Sequence, residues 1–457
     1  MSLAPAHRAD AHRIAARADG AAPVVVRRPP DPARWVAALY ATTLVLQRVS
    51  VPGTEIAIAL PIMLGWSVLA LRVGVLEFSV RRLVWWLAAF GGAGLVVLLQ
   101  VGGGFARYTS VGSWLLFAVC WACLTLRMRD RRRLTFDRTV DACLRVGLGL
   151  AGLSVAFVAV QFLGVGYVDV VAGVVPSGAL VPGFVTTYPL VYGSGVMRSN
   201  AWIGLEASIV SFHLGALLVL AVMRGKRLRV LGVLGLGMVV TASGSGVIVA
   251  AIGLAVLAVT GHHRLLRPLL VPGLVGAAVL ALTPFGQSLF GRSGELSSSD
   301  SSSSLRAVRG YVDLYPQWRD SLARQWFGCG PGSAQHQVDT TGVTGLVAPT
   351  GTRLFFDYGL LVGVALLGLL VVSLCRSHAP ALAVGLGVSF VTLQPATTTV
   401  ALILVMTVFV TWWSPPLEPA PPRPPRRVGA GPCDGPDPSV EASRTSVLVL
   451  PAPAVTR

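Results

Sequence analysis

The stretch from Phe285 to Thr350 reads FGQSLFGRSGELSSSDSSSSLRAVRGYVDLYPQWRDSLARQWFGCGPGSAQHQVDTTGVTGLVAPT and is the one long polar segment between two membrane-length apolar runs. It opens with a serine tract at 297–304 and closes with a glycine cluster at 328–332. Almost everything on either side of it is compatible with hydrocarbon. We therefore expect the apolar runs to hold this stretch, the long loop, at one face of a membrane.

The composition of the whole chain agrees with a membrane setting. The 457 residues are 54% hydrophobic and only 12% charged, and the mean hydropathy is +0.70. A soluble domain carries about 25% charged residues. One globule cannot bury so much apolar surface, so the sequence predicts an all-α, polytopic membrane protein.

About twelve transmembrane helices are predicted, with the long loop on the outer side and short helices within it. The apolar runs lie at about 35–49, 54–71, 83–101, 110–126, 141–163, 201–222, 230–242, 247–260, 268–284, 353–374, 380–394 and 397–413. Residues 1–34 are basic, rich in Ala and Pro, and lack the apolar core of a cleavable signal peptide. Residues 414–457 are rich in Pro. Both tails are predicted to be disordered and cytoplasmic, flanking a membrane domain at 35–413.

The net charge of +17 has two readings, nucleic-acid binding or membrane orientation. The second is favoured, because cytoplasmic loops of membrane proteins collect Arg and Lys. Basic loops alternate with loops poor in Arg, and those predicted to be cytoplasmic lie at 72–82, 127–138, 224–229 and 262–267. Lys226 is the only lysine in a chain rich in Ala, Gly, Val and Pro. That usage favours a high-GC bacterium and its cytoplasmic membrane.

The alternation breaks in the long loop, where several arginines fall on the predicted outer side. They are Arg306, Arg309, Arg319 and Arg324. Orientation does not require them, and a guanidinium fork matches phosphate oxygens. Arg306 and Arg309 would share one face of an amphipathic helix lying on the membrane, with Tyr311 and Trp318 presented to sugars or to the interface. The alternative is an ordinary interfacial helix.

Arg198 and Glu206 are the candidates before and within the sixth run. Arg198 precedes the run on the outer side, either to hold a phosphate or to snorkel at the interface. Glu206 is expected about one turn inside the helix, where ionisable groups are costly and often functional. It would accept a proton from an acceptor hydroxyl or form a structural ion pair. His213 is predicted to be a hydrogen-bonded core residue.

Cofactor and metal motifs are absent from the sequence. The glycine pattern at 328–332 has no preceding strand and no following GK[ST], so a tight turn is favoured over a nucleotide site. Cys120 and Cys123 share one face of an apolar helix, and core packing is favoured over metal binding. No metal and no cofactor are therefore predicted.

Several weak motifs follow one another in a recognisable order. In chain order they are Arg198 with Glu206-Ala207-Ser208, then Thr241-Ala242-Ser243-Gly244-Ser245-Gly246, Arg309, Trp318, Trp326-Phe327-Gly328-Cys329-Gly330-Pro331-Gly332, and Asp357-Tyr358-Gly359-Leu360-Leu361-Val362-Gly363. Over residues 198–363 this order resembles the O-antigen ligase and polymerase family of polytopic bacterial membrane proteins. Three features depart from that family: Ala207 replaces a common Pro, Gly replaces a common Arg in the hinge, and residues 347–350 lack the histidine of the ligases.

The resemblance implies a metal-independent transfer of glycan from an undecaprenyl diphosphate carrier to an acceptor at the outer face of the membrane. Fixed cations would stabilise the leaving diphosphate, and a base would activate the acceptor hydroxyl. The expected catalytic residues are Arg198, Glu206 and Arg309, and the expected substrate contacts are Arg306, Tyr311, Trp318 and Arg319. The missing histidine favours a polymerase-like or divergent enzyme, or a member without activity. A flippase and a non-catalytic scaffold are the competing classes, and the glycan, the acceptor and the oligomeric state stay open.

Overall fold

The computed structural model describes residues 31–104, 106, 108–182, 184, 186–190, 194–282, 304–343, 346–375 and 377–414. Within these ranges the protein is mostly helical. The α-helices are α1 (Pro32–Leu46), α2 (Ala59–Arg72), α3 (Val80–Gly102), α4 (Val111–Ala122), α5 (Arg133–Phe162), α6 (Val170–Val174), α7 (Ala207–Met223), α8 (Leu228–Val240), α9 (Gly244–Val259), α10 (His263–Leu282), α11 (Gly310–Val312), α12 (Tyr315–Arg319), α13 (Leu322–Phe327), α14 (Ser333–Thr340), α15 (Thr350–Leu374), α16 (Pro380–Thr392) and α17 (Val400–Phe409). The predicted tails lie almost wholly outside the described residues.

Each predicted apolar run contains a helix in the structure. Helices α3, α5 and α15 are long and apolar enough to cross a membrane, judged by length and composition. Most of the other apolar helices are shorter than a full crossing, among them α2, α4, α7 and α8. The described chain is therefore a helical protein with membrane-capable helices.

Two helices begin five or more residues earlier than the sequence predicts, because basic residues continue them into the polar region. Helix α5 starts at Arg133 instead of near residue 141, and α10 starts at His263 and contains Pro268 and Pro272. Arg is a good helix former, and its long side chain reaches solvent while the backbone stays helical. The predicted basic loop at 127–138 is therefore partly helix.

Three of the four predicted cytoplasmic loops meet at one end of the helices, the basic end. Strands β1 (Leu76–Phe78) and β2 (Leu126–Met128) pair in antiparallel register and join the first two of these loops. The Arg224 guanidinium contacts Asp137 at 2.7 Å. The Arg82 guanidinium donates to the carbonyl of Thr411 at 2.7 Å, just beyond α17. The basic loops at 72–82, 127–138 and 224–229 are thus gathered on one side.

The remaining loops meet at the opposite end, the loop end. The Ser110 N–H donates to the carbonyl of Pro331 at 2.9 Å, joining the α3–α4 turn to the long loop. The Ser50 N–H donates to the carbonyl of Ala179 at 2.8 Å. The Thr350 hydroxyl donates to the carbonyl of Gln394 at 2.8 Å, joining the start of α15 to the break between α16 and α17.

Helix α7 lies at the centre of the bundle, with nearly all its side chains buried. His213 is fully buried, and its Nδ1 lies 2.8 Å from the Tyr40 hydroxyl. The prediction of a hydrogen-bonded core histidine is confirmed. Cys120 and Cys123 are also buried, as expected for core residues.

A buried ion pair fixes the segment between α5 and α7 to the end of α1. The Arg48 side chain is 3% exposed, and its Nη1 and Nη2 lie 2.8 and 2.5 Å from the two carboxylate oxygens of Asp169. Arg48 Nη1 also donates to the carbonyl of Trp202 at 3.1 Å. Removing one partner would leave a buried charge unpaired, so we expect Asp169→Asn to cost about 3–5 kcal/mol. The apparent free energy of unfolding in a denaturing-detergent titration measures this loss.

The matched control is Asp320→Asn, which removes an i,i+4 partner of Arg324 whose carboxylate side chain is 58% exposed. Exposed pairs contribute about 0–1 kcal/mol, so the control should stay close to the wild type. Equal losses in the two variants would contradict a special role for the Arg48–Asp169 pair.

The same pair predicts an acid dependence of stability. Burial raises the pKa of Asp169, but the hydrogen bonds from Arg48 and the Ala172 N–H outweigh it and leave the pKa below its ordinary value of 3.8. A lowered carboxylate pKa stabilises the fold fully above the unfolded-state pKa, and this contribution is lost as the pH falls through the folded-state value. The stability difference between wild type and Asp169→Asn should therefore be constant above about pH 5 and shrink below about pH 4.

Candidate functional site

Arg309 lies at the loop end but is already engaged by a carboxylate. It is the last residue of a π-helical turn, Leu305–Arg309, and its Nε donates to Asp313 Oδ2 at 3.2 Å. Both residues line a shallow cleft together with Gln337 and Thr341. Arg306 falls in the same turn, and its side chain lies outside the described part of the chain. The Asp313 pair must open, or share Arg309, for a phosphate to bind there.

The helical turn that carries Arg306 and Arg309 does not continue through Trp318. The π-helical turn is followed by α11, α12 and α13, with breaks at 313–314 and 320–321. Arg309, Arg319 and Arg324 therefore lie on separate short elements. Arg319 is exposed at the end of α12, and Arg324 in α13 pairs with Asp320 at 2.9 Å.

Arg198 also lies at the loop end, half-buried in a turn ahead of α7. Its N–H donates to the carbonyl of Tyr188 at 2.8 Å, and its Nε donates to the carbonyl of Pro189 at 3.2 Å. The guanidinium carbon lies 5.8 Å from the centre of the Tyr188 ring. Arg198 does not line the cleft at Arg309 among the described residues. The structure thus shows the two arginines on separate elements of the same end.

Glu206 was predicted to lie one turn inside its helix, but it is the N-cap residue of α7. The intervening residues form an irregular turn in which Ala201 and Trp202 have φ of 55° and 57°. The Glu206 carboxylate is half-buried and accepts a hydrogen bond from the Ser208 hydroxyl at 2.7 Å. A carboxylate at a helix N-terminus is stabilised by the helix dipole, which offsets part of the cost of its burial.

Tyr311 and Trp318 meet in an apolar cavity of about 260 Å³. This aromatic cavity is lined by Tyr311, Leu314, Tyr315, Trp318, Thr352, Phe355, Phe356 and Leu360. The Tyr311 hydroxyl donates to the carbonyl of Val391 and is anchored to the end of α16. Burial raises the pKa of Tyr311, and the Thr352 hydroxyl beside it acts in the opposite direction. The two aromatic residues predicted to contact substrate are therefore brought together.

The glycine cluster returns the long loop to the helices through a tight turn. Gly328, Gly330 and Gly332 all have positive φ, at 82°, 111° and 82°. The Cys329 N–H donates to the carbonyl of Phe356 at 2.7 Å, and the Gly330 N–H donates to the carbonyl of Asp357 at 3.1 Å. The predicted tight turn is present, and it is clamped to the backbone of α15.

The Asp357 side chain completes this clamp. Its carboxylate accepts hydrogen bonds from the N–H of Ala334 at 2.8 Å and of Gly332 at 3.3 Å, at the first turn of α14. A carboxylate bound by backbone N–H groups at a helix N-terminus is a stable structural arrangement. Asp357 therefore holds the long loop in place.

Helix α15 is interrupted where the glycine cluster crosses it. Gly359 has φ of 71° and ψ of −176°, which is not helical. A Cβ at Gly359 would lie 2.3 Å from the carbonyl oxygen of Trp326, and one at Gly328 would lie 2.3 Å from the carbonyl oxygen of Asp357. The two backbones cross without side chains between them.

Arg353 is the cation of this site that was not predicted. It lies in the first turn of α15, where Nε donates to the carbonyl of Ala348 at 3.1 Å and Nη1 to the Thr397 hydroxyl at 3.4 Å. Its Nη2 donates to the Gln335 amide oxygen. All three partners are neutral, and no carboxylate in the described ranges forms an ion pair with it. The sequence signal was an arginine at the start of a membrane-length apolar run, where a charge needs a function or a partner.

Polar contacts through Gln394 join the start of α15 to the hinge between α8 and α9. The Gln394 amide nitrogen donates to the Ser245 hydroxyl at 2.9 Å, while the Gln394 carbonyl accepts from Thr350. At the hinge, a Cβ on Gly246 would lie 1.9 Å from the carbonyl oxygen of Ser211, so α7 and α9 approach too closely for a side chain. Packing between α7 and α9 thus requires a glycine at position 246.

Comparison with known proteins adds no assignment. No family model matches the chain, and no curated protein matches it. Within the part of the chain that the structure describes, no group of three or more His, Cys, Asp and Glu side chains is arranged to hold a metal ion. The functional argument therefore rests on the cations, the clamp and the cavity at the loop end.

Proposed function

We propose that the protein is a glycosyltransferase of the O-antigen ligase and polymerase type in a bacterial cytoplasmic membrane. It would move glycan from an undecaprenyl diphosphate carrier to an acceptor at the outer face, in the synthesis of a cell-surface polysaccharide. The observation that carries the proposal is Arg353, a guanidinium at the loop end of a membrane-capable helix. Its three hydrogen bonds go to neutral groups, and the nearby Asp339 and Asp357 lie outside ion-pair distance. Such a cation is suited to an anionic headgroup, because a guanidinium fork binds phosphate oxygens bidentately.

The proposed topology has twelve membrane crossings, with the basic end and both termini in the cytoplasm. The long loop, 285–350, would then lie outside. Its support is the gathering of the Arg-rich loops at one end, since positively charged loops stay on the cytoplasmic side. Labelling of single cysteines from outside the cell tests this: Ser301→Cys should react and Arg132→Cys should not, and the reverse pattern would exclude an outer-face site.

The proposed chemistry is a direct displacement at the anomeric carbon of the lipid-linked glycan. The acceptor hydroxyl oxygen forms the new bond to that carbon, and the bond from the carbon to the diphosphate oxygen breaks. The electron pair leaves on the lipid diphosphate, which Arg353, Arg198 and Arg309 stabilise. The hydroxyl proton passes to the Glu206 carboxylate. Arg306, Arg319, Tyr311 and Trp318 would contact the substrate, and no metal is required for these steps.

The arginines give the first test. Arg198→Ala and Arg309→Ala should each weaken carrier binding or turnover by about ten- to a hundredfold, because a hydrogen bond to a charged group contributes about 1.5–3 kcal/mol. Lysine should rescue poorly, because it lacks the planar fork. The lipid-linked glycan profile of a deletion strain complemented with each variant measures the loss, alongside protein level and membrane insertion.

Arg132→Ala is the matched control, since the Arg132 side chain is 82% exposed at the basic end. It should restore the normal glycan. If Arg198→Ala and Arg309→Ala also restore it, the enzyme proposal fails and a scaffold becomes the better description. If Arg309→Ala restores the normal glycan and Arg198→Ala does not, Arg306 in the same turn becomes the expected phosphate contact.

A further inference from the structure

The two-stranded sheet at the basic end has one apolar face and one charged face, because successive side chains of a strand point to opposite sides. Met128 of β2 is buried in the core, whereas Arg127 points outward and lies directly opposite Glu77 of β1. Arg127 Nε and a Glu77 carboxylate oxygen are 2.8 Å apart. Arg129 follows on the same side as Arg127, because its N–H continues the ladder by donating to the carbonyl of Val75 at 3.0 Å.

Positive charge exceeds negative charge on this outer face. Arg131 Nη2 lies 3.5 Å from the same Glu77 oxygen. Arg129 Nη1 lies against the backbone of Gly74, since a Cβ built on that glycine would be 3.2 Å from it. Arg72, two residues before Gly74, is exposed at the end of α2, and in the described ranges no ion pair joins Arg72 or Arg129 to a carboxylate. One carboxylate therefore faces four guanidinium groups in what we call the arginine cluster: Arg72, Arg127, Arg129 and Arg131 with Glu77.

The arginine cluster has an unbalanced positive potential. Burial and then the like charge of Arg127 lower the pKa of Arg131, and the charge of Glu77 opposes this shift without cancelling it. An anion placed beside these groups would relieve their repulsion. A guanidinium fork is suited to phosphate oxygens, which it binds through two parallel hydrogen bonds.

The chain that leaves the cluster presents apolar side chains to the outside. Phe78, the last residue of β1, is 51% exposed, and Val80 at the start of α3 is 72% exposed. Val84 and Trp85, one turn further on, are exposed as well. Helix α3 is long and apolar enough to cross a membrane, so these side chains face lipid, and Trp is enriched at the level of the headgroups. The arginine cluster therefore lies where headgroups and acyl chains meet.

We propose that the arginine cluster binds the phosphate of an anionic glycerophospholipid, whose acyl chains lie along the exposed side chains at the start of α3. Basic groups beside a membrane span attract anionic headgroups. A soluble phosphate or a nucleic acid would use the arginines but not the apolar side chains next to them, so a lipid is favoured. Under the proposed topology this lipid belongs to the cytoplasmic leaflet. The site lies at the opposite end of the helices from Arg353 and does not depend on the glycosyltransferase proposal.

The test uses the full-length protein in phosphatidylcholine nanodiscs and phosphatidylglycerol with a fluorescent acyl chain as the probe. Energy transfer from the tryptophans to the label measures binding, and equally labelled phosphatidylcholine gives the background. An arginine beside a membrane contributes about fivefold to the binding of anionic lipid, so Arg129→Gln should weaken binding about fivefold. Arg72→Gln/Arg129→Gln should weaken it about 25-fold. Both variants should stay folded, because neither arginine belongs to an ion pair in the described ranges.

The matched control is Arg132→Gln/Arg138→Gln, which removes the same charge from two exposed arginines outside the cluster. At physiological salt it should bind the probe like the wild type, because distant exposed charges are screened. Equal losses in the two double variants would mean a diffuse attraction to the whole basic end and would overturn the site.

Glu77→Gln separates binding from structural damage. It removes the one carboxylate of the cluster and leaves Arg127 and Arg131 available to the phosphate, so it should tighten binding about fivefold. A variant that merely disturbed the sheet would bind more weakly. Unchanged or weaker binding by a folded Glu77→Gln would overturn the proposal.

Two soluble competitors identify the source of the phosphate. Glycerol 3-phosphate carries the phosphate without acyl chains, and a single-stranded oligonucleotide carries many phosphates without them. Neither should displace the probe at concentrations where unlabelled phosphatidylglycerol does. Displacement by glycerol 3-phosphate would assign the cluster to a soluble phosphate, displacement by the oligonucleotide would assign it to nucleic acid, and either result would overturn the lipid site.

Discussion

Arg353→Ala is expected to abolish glycan assembly while leaving the protein folded and inserted. Arg353 donates to a carbonyl, a hydroxyl and an amide oxygen, and in the described ranges no carboxylate lies within ion-pair distance of it, although Asp339 and Asp357 are near. Bidentate binding to a phosphate would form two charge-assisted hydrogen bonds of about 1.5–3 kcal/mol each, so the expected loss is about a hundredfold or more. This exceeds the effect expected at Arg309, whose charge is shared with Asp313.

The lipid-linked glycan profile in a complemented deletion strain gives the first measurement for Arg353. Binding of undecaprenyl monophosphate to purified protein gives the second, which a merely structural arginine would not change. Thr397→Val removes one neutral partner of Arg353 and is the matched control, with at most a small loss. Arg353→Lys should keep little activity, because one ammonium cannot replace the fork. Normal probe binding by a stable Arg353→Ala would exclude a phosphate contact.

Gly359→Ala should cause the largest loss of stability among single substitutions in the loop end. Its φ of 71° and ψ of −176° form a conformation that only glycine adopts readily. The added methyl group would lie 2.3 Å from the carbonyl oxygen of Trp326 and 2.5 Å from the N of Gly328, and neither backbone atom can swing aside. Strain and overpacking together should cost roughly 2–6 kcal/mol.

Gly359→Ala should loosen the long loop locally as well as lower the stability of the whole fold. The clamp at Asp357 holds the glycine cluster, so its opening should expose the long loop to protease before the helices unfold. Gly368→Ala, further along α15 with open space around its Cα, is the matched control and should be neutral or stabilising by up to about 1 kcal/mol. Equal protease sensitivity and equal stability of the two variants would show that the crossing at Gly359 is not required.

The helices were predictable because their signal is local. An apolar run long enough to pass through hydrocarbon must satisfy its own backbone hydrogen bonds, and a helix does this within the run. That is why α1 through α5 and α15 through α17 appear where the apolar runs lie. Prediction was weakest at polar edges, such as the start of α5 at Arg133, because arginine is compatible with either a helix or a loop.

The candidate site was predictable only in part. Tyr311 and Trp318 were expected to work together, and the structure brings them to one cavity. Glu206 was placed inside a helix because no local signal reveals the irregular turn at Ala201 and Trp202, two non-glycine residues with positive φ. Arg353 was not predicted because its hydrogen-bond partners, Ala348, Thr397 and Gln335, lie on three different elements.

The sequence by itself determined that this is a helical protein with membrane-capable segments, a polar long loop and a segregated set of basic loops. Those properties follow from hydrophobicity, charge and turn residues that act over a few neighbours. Only the tertiary structure decided that the glycine cluster crosses α15 at Gly359, that Asp357 holds the loop, and that the hydrogen bonds of Arg353 go to neutral groups on three elements. Each of these depends on which distant backbones meet, and whether a buried charge finds a partner is settled by packing in three dimensions.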